Sequence, residues 1–429
     1  MAKKIGTIDL IGNLKVENYE LDNGLKVAIV EDDSKPIFNY QTWFRVGSAD
    51  EEAGKQGLAH LFEHMMFRET TNLKLGEWEK IVNENGGTKI NAYTSRDQTV
   101  YYFTFPNDKF ELAAKLESER MRNLIIDDET FATEKGAVLS EKGRTLDEPN
   151  HYLWEQLYFN TYQNHNYKYS IIGETESIKN FTSTEARNFY TNFYAPNNAL
   201  IIVVGDVKSE NVILEIEKYY GGFEPKIIQE REKISEPEKT ISKKTSLTHL
   251  KLKKKLGAVT WIVPHISHED YPALVILSEV LAGNDSSLLN ERLVFKSKVT
   301  QLFADAYEGR DGSTFEFYVE LVEGVSFDEA WGIFHTAICD VIEKGIDDVQ
   351  LKIVKNGLEK FLYETVQGAS GLAKFLGESY INTGDLSFYI NLFQKCNSVL
   401  VLDVQRAAKK YILDTHHTTV LLNPPTKIN

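Results

Sequence analysis

The sequence has 429 residues, 42% hydrophobic and 26% charged, a composition typical of a globular protein with more than one domain. Acidic residues outnumber basic ones by 63 to 48, and the net charge of −15 argues against a nucleic-acid partner, because phosphate binding needs a basic face. No segment is apolar over the length of a membrane span, so no membrane partner is expected. Since the first twenty residues have no apolar signal-peptide core, the chain as written is predicted to be cytoplasmic; a leader already removed would instead place it in the periplasm or outside the cell.

The first half of the chain alternates strand and helix patterns, which favours an α+β fold. Turn residues and apolar alternation predict strands over residues 25–31 and 39–46, two strands around the turn Ser95-Arg96-Asp97, and a buried strand over 199–207. Apolar residues at helical spacing predict helices over residues 57–67, 75–85, 107–123 and 128–146.

The helix predicted over residues 57–67 carries the sequence His-Leu-Phe-Glu-His, with His60, Glu63 and His64. Positions i, i+3 and i+4 share one face of a helix, so the two imidazoles can converge on one cation with the carboxylate beside it. Zinc accepts imidazole nitrogens and lowers the pKa of a bound water to about 7. The pattern therefore predicts a zinc hydrolase with Glu63 as general base. Two histidines four apart on a helix also occur by chance.

Two histidines need a third protein ligand, which spacing alone does not select. The two cysteines, Cys339 and Cys396, form no CxxC pair, so neither a thiolate zinc site nor a disulfide scaffold is expected. The helix predicted over 128–146 offers acidic candidates at its start, along its length and just beyond its end. They are Glu129, Glu134, Glu141 and Asp147.

The chain also shows signs of a tandem repeat. Residues 184–206 and 402–424 both have a helix, an aromatic turn and a buried strand, at a constant offset of 218. Between them, residues 224–248 are charged and contain two prolines, as expected of a linker. We therefore predict a zinc-bearing domain over residues 1–223, a linker over 224–248 and a domain of similar fold without a metal site over 249–429.

Three segments, GLAHLFEHMMF, GGTKINAYTSRDQTVYYF and EKGAVLSEKGR, together resemble the inverzincin family of pitrilysin, insulin-degrading enzyme and mitochondrial processing peptidase. The resemblance covers about the first 210 residues. It implies two tandem domains, each an antiparallel-rich sheet packed with helices, that form half of a clamshell closing as a chamber around unfolded peptides. The activity it implies is that of a zinc metalloendopeptidase.

By position, the resemblance implies roles for individual residues. His60 and His64 match the histidine ligands, Glu141 the distal glutamate ligand, and Glu63 the base. Glu134 matches the acidic residue that supports the site.

In that family the strand at residues 90–95 is an exposed sheet edge, to which the peptide substrate adds as another strand. Asn91 and Ala92 match the family pattern there. From the residues alone, the small side chain of Ala92 is compatible with close backbone approach but is otherwise unremarkable.

The resemblance fails at one place. Active members often carry an Arg and a Tyr from a C-terminal domain over the substrate carbonyl, and here Leu288 and Gln301 occupy those positions, with Arg292 and Tyr307 nearby. A missing oxyanion donor typically costs a few kcal/mol of transition-state stabilisation. We therefore expect a heterodimer with a homologous chain that supplies the Arg and Tyr; a homodimer is the alternative.

Two other functions compete with the peptidase. A non-catalytic structural or assembly homologue would keep the fold without the reaction. A metallohydrolase of another substrate class, such as an amidase, would keep the metal, but a strand-adding groove suits an extended peptide better.

Overall fold

The computed structural model describes residues 2–228 and 231–426, which form two compact units. The first consists of the described parts of 1–142, 169–232 and 363–389, and the second of those of 143–168, 233–362 and 390–429. Each unit is therefore discontinuous in sequence, whereas the predicted domains are continuous.

The first unit contains a sheet of seven strands among the described residues, in the order β1-β2-β3-β7-β4-β6-β5. Every neighbouring pair is antiparallel except β3 with β7. The strands are β1 (Lys3–Asp9), β2 (Lys15–Glu20), β3 (Lys26–Glu31), β4 (Ile37–Phe44), β5 (Thr88–Thr94), β6 (Thr99–Pro106) and β7 (Ala199–Gly205). The strand predicted to be an edge is β5, at the end of this sheet.

The second unit has a sheet of five strands within the described residues, in the order β10-β11-β9-β12-β8. Its strands are β8 (Lys243–Thr248), β9 (Leu256–Val263), β10 (Val299–Tyr307), β11 (Ser313–Leu321) and β12 (Thr418–Asn423). Strands β8, β12, β9, β11 and β10 of this sheet occupy the same places as β3, β7, β4, β6 and β5 of the first. The parallel pair is β8 with β12 here and β3 with β7 there. The repeat predicted from the offset of 218 is therefore present, since β7 and β12 occupy equivalent places. The predicted linker ends in strand β8.

Helices follow groups of one to four strands along the chain. The α-helices are α1 (Leu58–Met65), α2 (Glu77–Glu84), α3 (Phe110–Asn123), α4 (Asp128–Leu146), α5 (Pro149–Thr161), α6 (Thr175–Asn180), α7 (Ser183–Phe193), α8 (Ser209–Tyr220), α9 (Tyr271–Ala282), α10 (Phe327–Lys344), α11 (Asp348–Val366), α12 (Ala369–Thr383), α13 (Phe388–Ser398) and α14 (Val401–Ala407). Short 3₁₀ turns lie at Ser48–Asp50, Asn107–Lys109, Asn166–Lys168 and Pro196–Asn198, and π-helical turns at Asn290–Val294 and Ala408–Leu413. The predicted α+β class is confirmed.

Each sheet has two apolar faces, and a helix from the other half of the sequence covers one of them. In the first unit, α12 places Leu372 and Leu376 against a face that includes Trp43 and Ile202. In the second unit, helix α5 places its buried leucines against β9, β11 and β12. Each unit therefore includes a helix from the other half of the sequence, because the apolar residues on the second face of each sheet must be shielded from water.

No helix in the described parts of the chain is long and apolar enough to cross a membrane.

The packing of α12 on the first sheet can be tested at Gly377. A Cβ atom added there would lie 2.1 Å from the Trp43 ring, so Gly377→Ala is expected to destabilise the protein by about 1–3 kcal/mol through overpacking. The control is Gly357→Ala on α11, where no atom lies within 4 Å of the new Cβ and helix propensity favours alanine by up to about 1 kcal/mol. Thermal unfolding midpoints measure the stability of each variant relative to the wild type. Equal midpoints for the two variants would contradict the packing.

Candidate metal centre

Helix α1 carries the histidine motif and is held in place by its apolar side. Gly57 precedes the helix in the left-handed conformation, with φ 101°, and supplies no capping side chain. Phe62 is fully buried, and its ring centroid lies 4.4 Å from that of Tyr194 and 5.5 Å from that of Tyr190. Burying this side fixes the rotation of the helix, which leaves His60 and His64 together on the opposite side.

The structure brings Glu141 of helix α4 to these two histidines. The distance from His60 Nε2 to Glu141 Oε1 is 3.7 Å, and from His64 Nε2 to Glu141 Oε2 it is 3.3 Å. One ligand atom from each residue can be chosen so that all three lie within 4.8 Å of one another. Among the residues that the structure describes, no other group of three or more His, Cys, Asp or Glu has this arrangement.

The three side chains fit a zinc ion. Ligands about 2.0–2.1 Å from a tetrahedral zinc lie roughly 3.3 Å from each other, close to the separations found here. Burial, with a smaller effect of neighbouring His64, lowers the pKa of His60 to about 4. His60 is therefore neutral near pH 7, the protonation state in which imidazole binds metal.

Glu134 and Arg68 support His64 from behind. Glu134 is 2% exposed, and its Oε2 lies 3.3 Å from His64 Nδ1, while its Oε1 accepts a hydrogen bond from Arg68. A carboxylate at Nδ1 keeps the proton on that nitrogen and leaves Nε2 free for a metal. His60 differs, because its Nδ1 is buried and has no hydrogen-bond partner.

Glu63 points from the same helix toward the end of strand β5. Its Oε2 accepts a hydrogen bond of 2.6 Å from the hydroxyl of Thr94, the last residue of β5. Burial raises the pKa of Glu63, and the bond from Thr94 partly opposes that effect. A carboxylate with a raised pKa is a stronger base, as suits a group that takes a proton from water.

Asn91 and Ala92 lie on β5, and neither belongs to the group of three candidate ligands. Asn91 pairs with Tyr102 and Ala92 with Tyr101 across the ladder to β6. The Ala92 N–H is bonded to the Asn91 side-chain oxygen at 2.9 Å. The side of β5 that faces away from β6 pairs with no strand in the described sheet.

Glu51 and Thr94 contribute to the site although the sequence reasoning did not identify them. The buried carboxylate of Glu51 accepts hydrogen bonds from the N–H groups of Gly57 at 2.9 Å and Ala59 at 2.8 Å. It thus caps helix α1, which has no local capping side chain. The only sequence signal for capping by Glu51 is an acidic residue a few positions before a helix that starts at a glycine.

Comparisons with known proteins identify the family of this chain. Residues 26–175 match the family model Insulinase (Peptidase family M16), and residues 180–358 match the model Peptidase M16 inactive domain. Over 419 residues the chain is 30% identical to the zinc protease PqqE of Helicobacter pylori, covering 96% of this chain and 93% of that relative. The chain belongs to peptidase family M16.

Two further matches cover nearly the whole chain. The chain is 24% identical to the uncharacterized zinc protease ML0855 of Mycobacterium leprae, covering 94% of this chain and 91% of the relative. The crystal structure of a protease from Helicobacter pylori superposes with a TM-score of 0.90 at 29% identity, over 96% of this chain and all of that one. The expected resemblance to the inverzincins and the expected tandem of two similar domains are thereby confirmed.

The support of His64 by Glu134 can be tested by metal affinity. Glu134→Gln is expected to weaken zinc binding about 10–100-fold, because the amide holds the His64 tautomer less firmly. Competition with a chromophoric chelator measures the zinc affinity of each variant. The control is Glu117→Gln, which removes an equally buried carboxylate that pairs with Arg120 on α3. Equal zinc affinities in the two variants would exclude a supporting role for Glu134.

Proposed function

We propose that this M16 chain is the zinc-bearing subunit of a zinc metalloendopeptidase that hydrolyses unfolded peptides in a closed chamber formed with a partner chain. The observation that carries the proposal is the convergence of one ligand atom each from His60, His64 and Glu141 within 4.8 Å, with Glu63 on the helix that carries the two histidines. The relatives named zinc proteases support the metal and the reaction class.

In this proposal His60, His64 and Glu141 hold the zinc. Bound zinc would supply Lewis-acid chemistry, polarising the scissile carbonyl and lowering the pKa of water at the site to about 7. Glu63 takes the proton of the attacking water and then gives it to the leaving amine nitrogen. Thr94 orients Glu63 through the 2.6 Å hydrogen bond, and Glu134 orients His64.

The substrate class follows from the position of β5. An extended peptide that pairs with this free edge would bind through its backbone, with little demand on its sequence. Because Thr94 ends β5 and bonds to Glu63, a peptide lying along Asn91 and Ala92 runs toward the base. A peptide backbone fits this geometry better than the compact substrate of an amidase.

A partner chain is proposed because the second unit lacks the expected Arg and Tyr. Leu288 is half-buried and Gln301 is exposed on β10, at the positions where those residues are expected. Nearby Arg292 is ion-paired with Asp340 at 2.8 Å. The proposed partner is a homologous chain that supplies both residues, with a homodimer as the alternative. The fold of this chain also matches about half of the longer Escherichia coli protease PqqL, covering 48% of it with a TM-score of 0.79.

A non-catalytic structural homologue is the second candidate. The match of residues 180–358 to a model described as an inactive domain is the observation in its favour. Measuring bound metal separates the two candidates, because a purely structural chain has no need to retain zinc. The cytoplasmic location indicated by the sequence stays a prediction.

The role of Glu63 can be tested by removing its charge. Glu63→Gln is expected to lower peptide turnover by several orders of magnitude, because the amide cannot accept the proton from water. Zinc content should be unchanged, since Glu63 is not a ligand in this proposal. Peptide hydrolysis with and without a candidate partner, together with metal analysis, measures both. Turnover equal to that of the wild type would remove Glu63 from the base role.

The need for a partner can be tested by mixing. The purified chain alone is expected to cleave an unfolded peptide much more slowly than an equimolar mixture with a homologous chain that carries the Arg and Tyr, because the oxyanion lacks its donors. Glu63→Gln in the same mixture gives the background. Full activity of the wild-type chain alone would exclude an obligatory partner.

A further inference from the structure

The side chain of Arg231 is buried in the first unit, although this residue falls in the predicted linker over residues 224–248. The side chain of Arg231 is 7% exposed and makes two hydrogen bonds to Asp50, from Nε to Oδ1 at 2.8 Å and from Nη2 to Oδ2 at 2.6 Å. A third bond runs from its Nη1 to Asp97 Oδ1 at 2.6 Å. A buried guanidinium with several hydrogen bonds to carboxylates differs from an isolated ion pair on the surface.

Asp50 belongs to the loop that leads to helix α1. Its Oδ2 also accepts a 2.9 Å hydrogen bond from the Gly47 N–H, which fixes the start of the loop. The next residue, Glu51, caps α1 through the N–H groups of Gly57 and Ala59. The loop held by Arg231 therefore also holds the first turn of the helix that carries the candidate ligands.

Asp97 belongs to the turn that joins β5 to β6. The backbone of this turn is bonded to the Asp50 loop, from Ser48 N to Ser95 O at 3.0 Å and from Ala49 N to Arg96 O at 2.9 Å. This turn directly follows Thr94, whose hydroxyl bonds to Glu63. The guanidinium thus joins the loop that holds α1 to the turn that ends the free edge strand.

Both carboxylates pair with this cation. The side chains of Asp50 and Asp97 are 8% and 7% exposed, and each lies within 2.6 Å of the same guanidinium. Removing the guanidinium takes a shared countercharge from two buried carboxylates that little water screens, which favours separation of the two segments. A lysine has a single ammonium and cannot reproduce the paired bonds to Asp50.

We infer that Arg231 is a positioning residue for the proposed peptidase reaction: its guanidinium clamps the Asp50 loop to the Asp97 turn and so keeps helix α1 in register with strand β5. This inference rests on the proposed function for its catalytic consequence. The segment predicted to be a linker is thus part of the site's support in the first unit.

The kinetic test uses the full chain, assayed with whichever partner gives activity. Arg231→Met should lower kcat/KM for an unfolded peptide by roughly ten- to a hundredfold, as small misplacements of reacting groups do, while zinc content is kept. Arg231→Lys should recover part of the loss, and so should adding Asp50→Asn and Asp97→Asn to Arg231→Met, because the charges no longer repel. Lys226→Met, at an exposed position of the same segment, is the control and should match the wild type.

A second measurement does not depend on activity. Amide hydrogen exchange over residues 47–51 and 94–98 should be faster in Arg231→Met than in the wild type and unchanged in Lys226→Met. If Arg231→Met does not fold, Arg231→Lys and the triple variant carry the comparison. Wild-type kcat/KM together with unchanged exchange in these variants would overturn the clamp. Faster exchange with a wild type that cleaves no peptide would refute the proposed function and leave the clamp standing.

Discussion

The site depends on one constraint: a carboxylate of helix α4 is held against two imidazoles of helix α1, and the imidazole of His60 does not neutralise its charge. Because burial lowers the pKa of His60 to about 4, that ring carries no positive charge with which to pair Glu141 near neutral pH. A divalent cation bound here would supply the missing positive charge, and the buried side of α1 prevents the helix from rotating away from Glu141.

The architecture that holds this constraint repeats in the second unit, whose described residues include no group of three candidate ligands. The five strands of the second sheet follow the same order as five strands of the first, with the same parallel pair, and a helix from the other half of the chain covers one face of each sheet. The repeat is visible in the sequence because β7 and β12 are buried strands after similar helices. The exchange of α5 and α12 is not, because an apolar helix pattern indicates burial without naming the sheet that buries it.

At the site, too, local sequence patterns could be predicted and tertiary contacts could not. His60, Glu63 and His64 are brought together by helical geometry over five residues, so their pattern alone predicts a shared face. Glu141 needed the family resemblance, because Glu134 lies seven residues before it on the same face of the predicted helix and could reach a metal equally well by spacing. Thr94 and Glu51 meet α1 through tertiary folding, and no local period encodes such contacts.

The supporting groups also bear on whether the motif is catalytic or a remnant. Glu134 and Glu51 are 2% and 5% exposed, and burial raises the pKa of Glu51 well above its ordinary value. Burying carboxylates is costly, and apolar side chains of similar volume often stabilise a fold at least as well. A chain that served only as a scaffold would gain little from such groups. Their placement, one behind a candidate ligand and one at the start of the ligand helix, is better explained by the need to hold two imidazoles and a base in a fixed geometry.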